Sequence, residues 1–252
     1  MLTGKRALVT GGGTGIGAAI ARSLMAAGAE MIIAGRRVEV LHRSADMLGL
    51  SRDACLVLDV TDAASIAAAA DVLATVDILV NNAGQAASAP FRKSDIALLD
   101  AMLDVNLRGT WRMTQAVLPA MTRRGWGRVI NIASTAGLRG YAYVSAYVAA
   151  KHAVVGLTRA LALEVARQGV TVNAVCPGFT ETPLLDAAVA NITSATGRDA
   201  GTARAELARD NPQGRLVRPD EVANTVLWLA GPDAGAINGQ SIAVCGGEVM
   251  TG

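Results

Sequence analysis

The stretch Arg6-Ala-Leu-Val-Thr-Gly-Gly-Gly-Thr-Gly-Ile-Gly17 runs straight into Ala18-Ala-Ile-Ala-Arg-Ser-Leu-Met25, joining a short apolar run to a helical pattern through a glycine-rich turn. Glycine there permits a tight turn, lets backbone N–H groups approach a pyrophosphate, and lets the new helix pack close to its strand. The helix start adds partial positive charge and free donors, which suit an anion. Gly11, Thr14, Gly15, Ile16 and Gly17 are therefore candidate dinucleotide contacts, although turns of this kind also serve packing alone.

Beyond that turn, short apolar runs alternate with Ala/Leu-rich amphipathic stretches along the whole chain. Strands are expected near 6–10, 31–35, 55–58, 77–81, 128–133, 170–175 and 241–244, with helices between most of them. Several of these runs are continuously apolar, the pattern of strands covered on both faces. Strand–helix alternation implies right-handed crossovers and a doubly wound, Rossmann-type α/β fold: a central, mostly parallel seven-stranded sheet flanked by helices. Its ligand site belongs at the carboxyl ends of the strands. No Pro/Ser-rich linker divides the 252 residues, so one domain is expected.

Composition narrows the function classes. Hydrophobic residues make up 52% and charged ones 17%, which argues against disorder. With only 3% aromatic residues, the core must be built from Ala, Val, Leu and Ile. A net charge of +2 without a Lys/Arg run gives no reason to expect nucleic acid or an acidic membrane as partner. Cys55, Cys176 and Cys245 are widely spaced, with no CxxC pair, and support neither a disulfide framework nor a metal site. The first residues lack a signal-peptide pattern and no apolar run approaches the ~20 residues of a membrane span, so a soluble protein of a reducing, cytoplasmic compartment is expected.

The ends of the expected strands carry the candidate site residues. Gly35-Arg36-Arg37 ends the second strand, where an acidic residue would bind a nucleotide's ribose hydroxyls. Two guanidiniums suit a 2′-phosphate instead, which favours NADP(H) over NAD(H), unless the arginines are simply solvated. Asp59-Val60 ends the third, where Asp59 could meet an adenine amino group or cap the next helix. Asn81-Asn82-Ala83-Gly84 ends the fourth; its small residues allow close approach to a ligand and its amides can tie strand ends together. Asn106 sits in an apparently helical stretch, a disfavoured place for Asn unless its amide has a task.

Ser134 follows the fifth strand, and 13 residues later comes Tyr147, with Lys151 one helical turn beyond it. Residues four apart share a helical face, so the Lys151 ammonium is expected to favour the Tyr147 phenolate and make the phenol a general acid/base. After the sixth strand, Pro177-Gly178 makes a sharp turn where a nicotinamide would lie. Thr180 and Thr182 follow, able to bind its carboxamide or a phosphate, or merely to cap the next helix.

In this order and spacing, the chain resembles the short-chain dehydrogenase/reductase family over essentially its whole length. The matching features are Thr10 to Gly17, Asp59-Val60, Asn81 to Gly84, Asn106, Ser134, Tyr147 with Lys151, Pro177-Gly178 with Thr182, and the closing strand and turn Asn238 to Gly247. The resemblance implies that Ser134 binds the substrate oxygen and that Tyr147 exchanges a proton with it. It further implies that Lys151 lowers the tyrosine pKa and holds the nicotinamide ribose, that Asn106 anchors a water, and that the assembly is a homotetramer. Two departures stand out: Thr14 occupies a place where many NADP-using relatives have a basic residue, and Cys245 replaces a more usual acidic one.

Residues from Leu184 to Arg215 are expected to form a lid over a small carbonyl or alcohol substrate. Its apolar positions, including Leu184, Leu185, Val189 and Ile192, read either as a core-facing stripe or as an acyl pocket. In the second case Arg198, Arg204 and Arg209 would stand at the mouth for a CoA- or carrier-borne phosphate. The chain is similar to 3-oxoacyl-thioester reductases and 3-hydroxyacyl-CoA dehydrogenases. A dehydrogenase of a cyclic, aromatic or sugar-derived alcohol is the alternative, and a non-catalytic dinucleotide sensor a more remote one.

Overall fold

Each of the seven apolar runs is a strand in the computed structural model, which describes residues 2–250. They are β1 (Arg6–Thr10), β2 (Glu30–Gly35), β3 (Cys55–Val57), β4 (Ile78–Asn81), β5 (Gly127–Ile132), β6 (Val170–Pro177) and β7 (Ser241–Val244). All pair in parallel, in the order β3-β2-β1-β4-β5-β6-β7. The order reverses between β1 and β4, where a crevice opens at the carboxyl ends.

The helices are α1 (Gly15–Ala26), α2 (Val38–Leu48), α3 (Ala63–Ala68), α4 (Ala70–Leu73), α5 (Ile96–Leu103), α6 (Gly109–Arg124), α7 (Ser145–Val165), α8 (Pro183–Thr196), α9 (Ala200–Arg209) and α10 (Pro219–Ala230). Alternation along β1 shows how they cover the sheet. Ala7 and Val9 point into a layer with Ile20 and Leu24 of α1 and Val222 and Val226 of α10. Leu8, between them, points to the other face with Met113 and Val117 of α6 and Ala162 of α7. Continuous apolar strands are thus two-faced strands, and β4, β5 and β6 are buried throughout. The largest fully buried side chains are Leu, Ile and Met, as the scarcity of aromatics requires. Each such side chain contributes about 1.5–3 kcal/mol on burial.

Helix ends are set by local chemistry. Asp62, Asp95, Asp199 and Thr182 cap α3, α5, α9 and α8 through side-chain oxygens, while Gly49, Gly125 and Gly197 end α2, α6 and α8 in the left-handed region. Between α5 and α6 the chain widens into a π-helical turn, Asp104–Arg108, with the buried Asn106 at its centre.

Candidate active site

The glycine turn after β1 is built for close approach. Gly11 and Gly15 have φ of +64° and +52°. A Cβ on Gly11 would lie 3.0 Å from Asn82 Nδ2, and one on Gly17 would lie 2.2 Å from the Gly11 carbonyl oxygen. Gly17 therefore serves the packing of α1 onto the turn, whereas Gly11, Gly13, Thr14, Gly15 and Ile16 line an open cleft of about 270 Å³. The amino end of α1 faces no acidic residue in its first turn, and the Thr14 side chain does not cap it. Its N–H groups remain available to an anion.

Arg36 and Arg37 line the far end of this cleft, with Asp59 and Val60. Arg36 is well exposed and stands 3.9 Å from Asp59. Asp59 accepts from the Thr61 N–H at 2.9 Å and the Thr61 hydroxyl at 2.8 Å, while Asp62 caps α3. Burial alone would raise the Asp59 pKa; the Thr61 hydrogen bonds and the Arg36 charge outweigh it and hold the carboxyl below its ordinary value.

Buried amides lock the strand ends together. Asn82 Nδ2 donates to the carbonyls of Thr10 and Gly11 at 3.0 and 3.2 Å, and the Thr10 hydroxyl accepts from Asn82 and Ala83 N–H. Asn81 donates to Asn131 across the β4–β5 register at 2.9 Å, and Asn131 passes the chain to Thr158 of α7 at the same distance. Asn82, Ala83 and Gly84 line the cleft between these anchors.

Ser134, Tyr147, Lys151 and Asn106 converge beyond Gly84. Ser134 caps the short turn after β5, accepting from the Ala136 N–H at 3.1 Å, and its hydroxyl lies near enough to that of Tyr147 to favour the phenolate. Its N–H is directed at the buried Cys176, a partner the sequence did not announce. Lys151 is 5% exposed, and its Nζ donates to the Ile132 carbonyl at 2.8 Å, 5.6 Å from the centre of the Tyr147 ring. A Cβ on Gly84 would sit 2.8 Å from Asn106 Oδ1 and 3.7 Å from Lys151 Nζ, so only glycine fits between them. Asn106 spends its amide on the Gln85 backbone and the Met102 carbonyl, and its own carbonyl accepts from Thr110. The π-helical turn is thus what its side chain is for: it pins the segment after Gly84.

The expected effect of Lys151 on Tyr147 needs correction. Burial pushes the Tyr147 phenol up to about 12; the Ser134 hydroxyl offsets this in part, and Cys176 adds to it. The same burial brings Lys151 down to about 8. Desolvation outweighs the attraction because the ammonium is directed at a carbonyl rather than at the phenol. The tyrosine is a protonated donor at neutral pH.

Pro177 and Gly178 close β6 against β7, with the Gly178 N–H donating to Val244. Thr182 takes the capping alternative, accepting from Leu185 N–H at 3.3 Å, and also lines the cleft. Thr180 is buried and donates to the Gly178 carbonyl, shaping the turn. The apolar stripe of α8 turns inward: Leu185, Val189 and Ile192 pack with Ala203 and Leu207 of α9. The arginines expected at its mouth are engaged by acids, Arg198 with Glu206 at 2.8 Å, Arg204 with Asp186, and Arg209 with Asp210 at 3.9 Å. Tyr141 was not singled out by sequence reading, yet its hydroxyl donates to Glu248 and accepts from the hydroxyl of Thr135, next to Ser134, and its ring meets Phe179 edge-on at 6.2 Å.

These residues fit a nicotinamide dinucleotide. The left-handed glycines, the free helix start and the arginine pair match its pyrophosphate and ribose ends, and the cleft reaches Gly84 without including Ser134 or Tyr147 in its lining. Residues 5–193 match the family model for short chain dehydrogenases. A Streptomyces coelicolor protein assigned as a ketoacyl reductase is 42% identical over 256 residues, spanning 96% of this chain and 95% of the relative. The D-beta-hydroxybutyrate dehydrogenase of Rhizobium meliloti is 37% identical, spanning 96% and 98%. Among solved structures, an actinorhodin polyketide ketoreductase variant with NADPH superposes with a TM-score of 0.91 at 38% identity, covering 97% of both chains. No described helix is long and apolar enough to cross a membrane.

Proposed function

Since the chain belongs to the short-chain dehydrogenase family and is thereby an NAD(P)-dependent oxidoreductase of carbonyls and secondary alcohols, we propose that it reduces a 3-oxoacyl thioester, with NADPH as the favoured dinucleotide. The observation that carries this reading is the Ser134–Tyr147 hydroxyl pair, with the phenol held protonated by burial. A phenol near 12 is fully protonated at neutral pH, the form that can give a proton to a ketone oxygen.

Gly11 to Ile16 and the start of α1 would hold the pyrophosphate of NADPH. Arg36 and Arg37 would hold its 2′-phosphate and Asp59-Val60 its adenine, with Asn82 to Gly84, Pro177-Gly178, Thr180 and Thr182 around the remainder. When bound, the dinucleotide supplies the hydride. Ser134 donates a hydrogen bond to the substrate oxygen and orients it, and Tyr147 delivers the proton to that oxygen. Lys151, charged below about pH 8, favours the phenolate left behind and binds the adjoining ribose. Asn106 keeps the segment after Gly84 in place through Gln85.

The thioester rests on similarity to a ketoacyl reductase and a hydroxybutyrate dehydrogenase, since the lid arginines are already paired with acids. Steady-state assays with 3-oxoacyl thioesters, simple ketones and cyclic ketones, each with NADPH and NADH, test it. Turnover confined to non-thioesters sinks the substrate. We further propose a homotetramer, because Trp111 of α6 and Leu163 of α7 are 54% and 84% exposed on faces that a second copy would cover. Light scattering giving a monomer excludes it.

A further inference from the structure

At the other end of the sheet, where the strands begin, lies a second cavity that the redox reading does not use. It measures about 410 Å³ and is lined by Trp126, Arg128, Thr171 and Asn238, with backbone from Gly125 and Gly169. Arg128 on β5 is in register with Thr171 on β6, so the two side chains leave the sheet side by side on one face.

Arg128 is 4% exposed, nearly as buried as a core leucine. One terminal nitrogen donates to the Gly127 carbonyl at 2.9 Å, but its buried Nε has no hydrogen-bond partner among the described residues. The carboxylate in the adjoining loop, Asp77, is already committed to the Arg6 N–H at 3.1 Å and to Arg124 at 3.2 Å. The guanidinium carbon stands 4.6 Å from the centre of the Trp126 ring, and Lys5 Nζ is 3.7 Å from that same ring. Two cations thus share one indole. Burial lowers the Arg128 pKa with no acidic group offsetting it. A guanidinium carries five donors and stays charged, so burying it with no carboxylate opposite is unfavourable until an anion reaches its terminal nitrogens.

We infer that this cavity is a second, non-catalytic site for a small oxyanion, a carboxylate or phosphate group, bound by the Arg128 fork with the Thr171 hydroxyl as neighbouring donor and Trp126 as its wall. Planar, two-point recognition of an oxyanion is what a guanidinium offers over an ammonium.

Trp126 makes the test direct. The chain has three tryptophans, and replacing the two exposed ones, Trp111→Phe and Trp228→Phe, leaves Trp126 as the sole indole reporter. The full-length protein is titrated with inorganic phosphate and, separately, with acetate, against sodium chloride at matched ionic strength to remove screening effects. A saturable change in emission with phosphate or acetate is expected, and which of them saturates assigns the group. Arg128→Lys keeps the charge but loses the fork and should weaken half-saturation by about tenfold or more; Thr171→Val should weaken it less. A rise in melting temperature should accompany binding and shrink in Arg128→Lys, which leaves any phosphate binding in the first cleft unchanged. Emission that follows chloride equally, or an unchanged saturation curve in Arg128→Lys, overturns the inference.

Discussion

Lys151 donates its ammonium to the carbonyl of Ile132 at 2.8 Å, tying the middle of α7 to the end of β5. A cation 5% exposed, with one neutral acceptor and no carboxylate, is held in the fold at a cost. Its pKa falls from 10.5 to about 8, so between those values the unfolded chain binds more protons than the folded one and stability rises with pH. Below about pH 8 the destabilisation is present in full. Lys151→Met should therefore be more stable than the parent at pH 7 by roughly 2 kcal/mol, about 3 from the relieved charge less about 1 for the orphaned carbonyl. Above about pH 10.5 the advantage should vanish. Thermal denaturation across this range measures it, and a variant less stable at pH 7 contradicts the account.

The same group should shape the rate. Carbonyl reduction is expected to be level below the Lys151 pKa of about 8 and to decline above it, as the charge that favours the departing phenolate is lost. In Lys151→Met the inflection should disappear together with most of the activity. A parental profile in that variant would assign the titration to another residue.

Tyr147→Phe removes the proton donor and leaves the ring. Dinucleotide affinity, read by fluorescence titration, should change by less than about threefold, while kcat falls by about two to four orders of magnitude. Near-parental turnover would mean that another group delivers the proton.

Arg36 and Arg37 face the cleft with no acidic residue in β2 beyond Glu30 at its start. Arg36→Ala/Arg37→Ala should raise the KM for NADPH by about ten- to a hundredfold, the worth of one or two charge-assisted contacts, and leave that for NADH nearly unchanged. Equal losses with both dinucleotides would show that the pair does not read the 2′-phosphate.

Gly17→Ala adds a methyl group that would lie 2.2 Å from the Gly11 carbonyl oxygen and 2.5 Å from Asn82 Nδ2. Both are fixed by hydrogen bonds, so the turn or α1 must shift. A loss of about 3 kcal/mol and weakened dinucleotide binding are expected by chemical denaturation and titration. Parental stability would mean that the helix start can back away.

Seven strands and two core layers were legible because two-faced strands leave continuous apolar runs and amphipathic helices leave a periodic stripe. The glycine turn, Asn82, Ser134, Tyr147 and Lys151 were legible because chain order puts each at the end of a strand or on one helical face. What spacing does not carry is burial. The direction of the Tyr147 shift depends on how much water the fold removes from the phenol, whose side chain packs with Met102, Ala146 and Ala150. Contacts between distant, motif-free residues were equally silent: Glu248 meets Tyr141 across 107 positions, and Arg204 meets Asp186 across 18. The π-helical turn at Asn106 left one clue, a polar amide in an apolar helical stretch.

The strand order has a consequence for biosynthesis. β1 finds β2 as soon as the first crossover is made, but its other neighbour, β4, emerges from the ribosome only after β3 has been added on the far side of β2. The buried amide of Asn81 on β4 then waits a further 50 residues for Asn131. Until then a nascent chain presents an open, apolar strand edge, and pauses in translation between those points would expose it to aggregation or to chaperones.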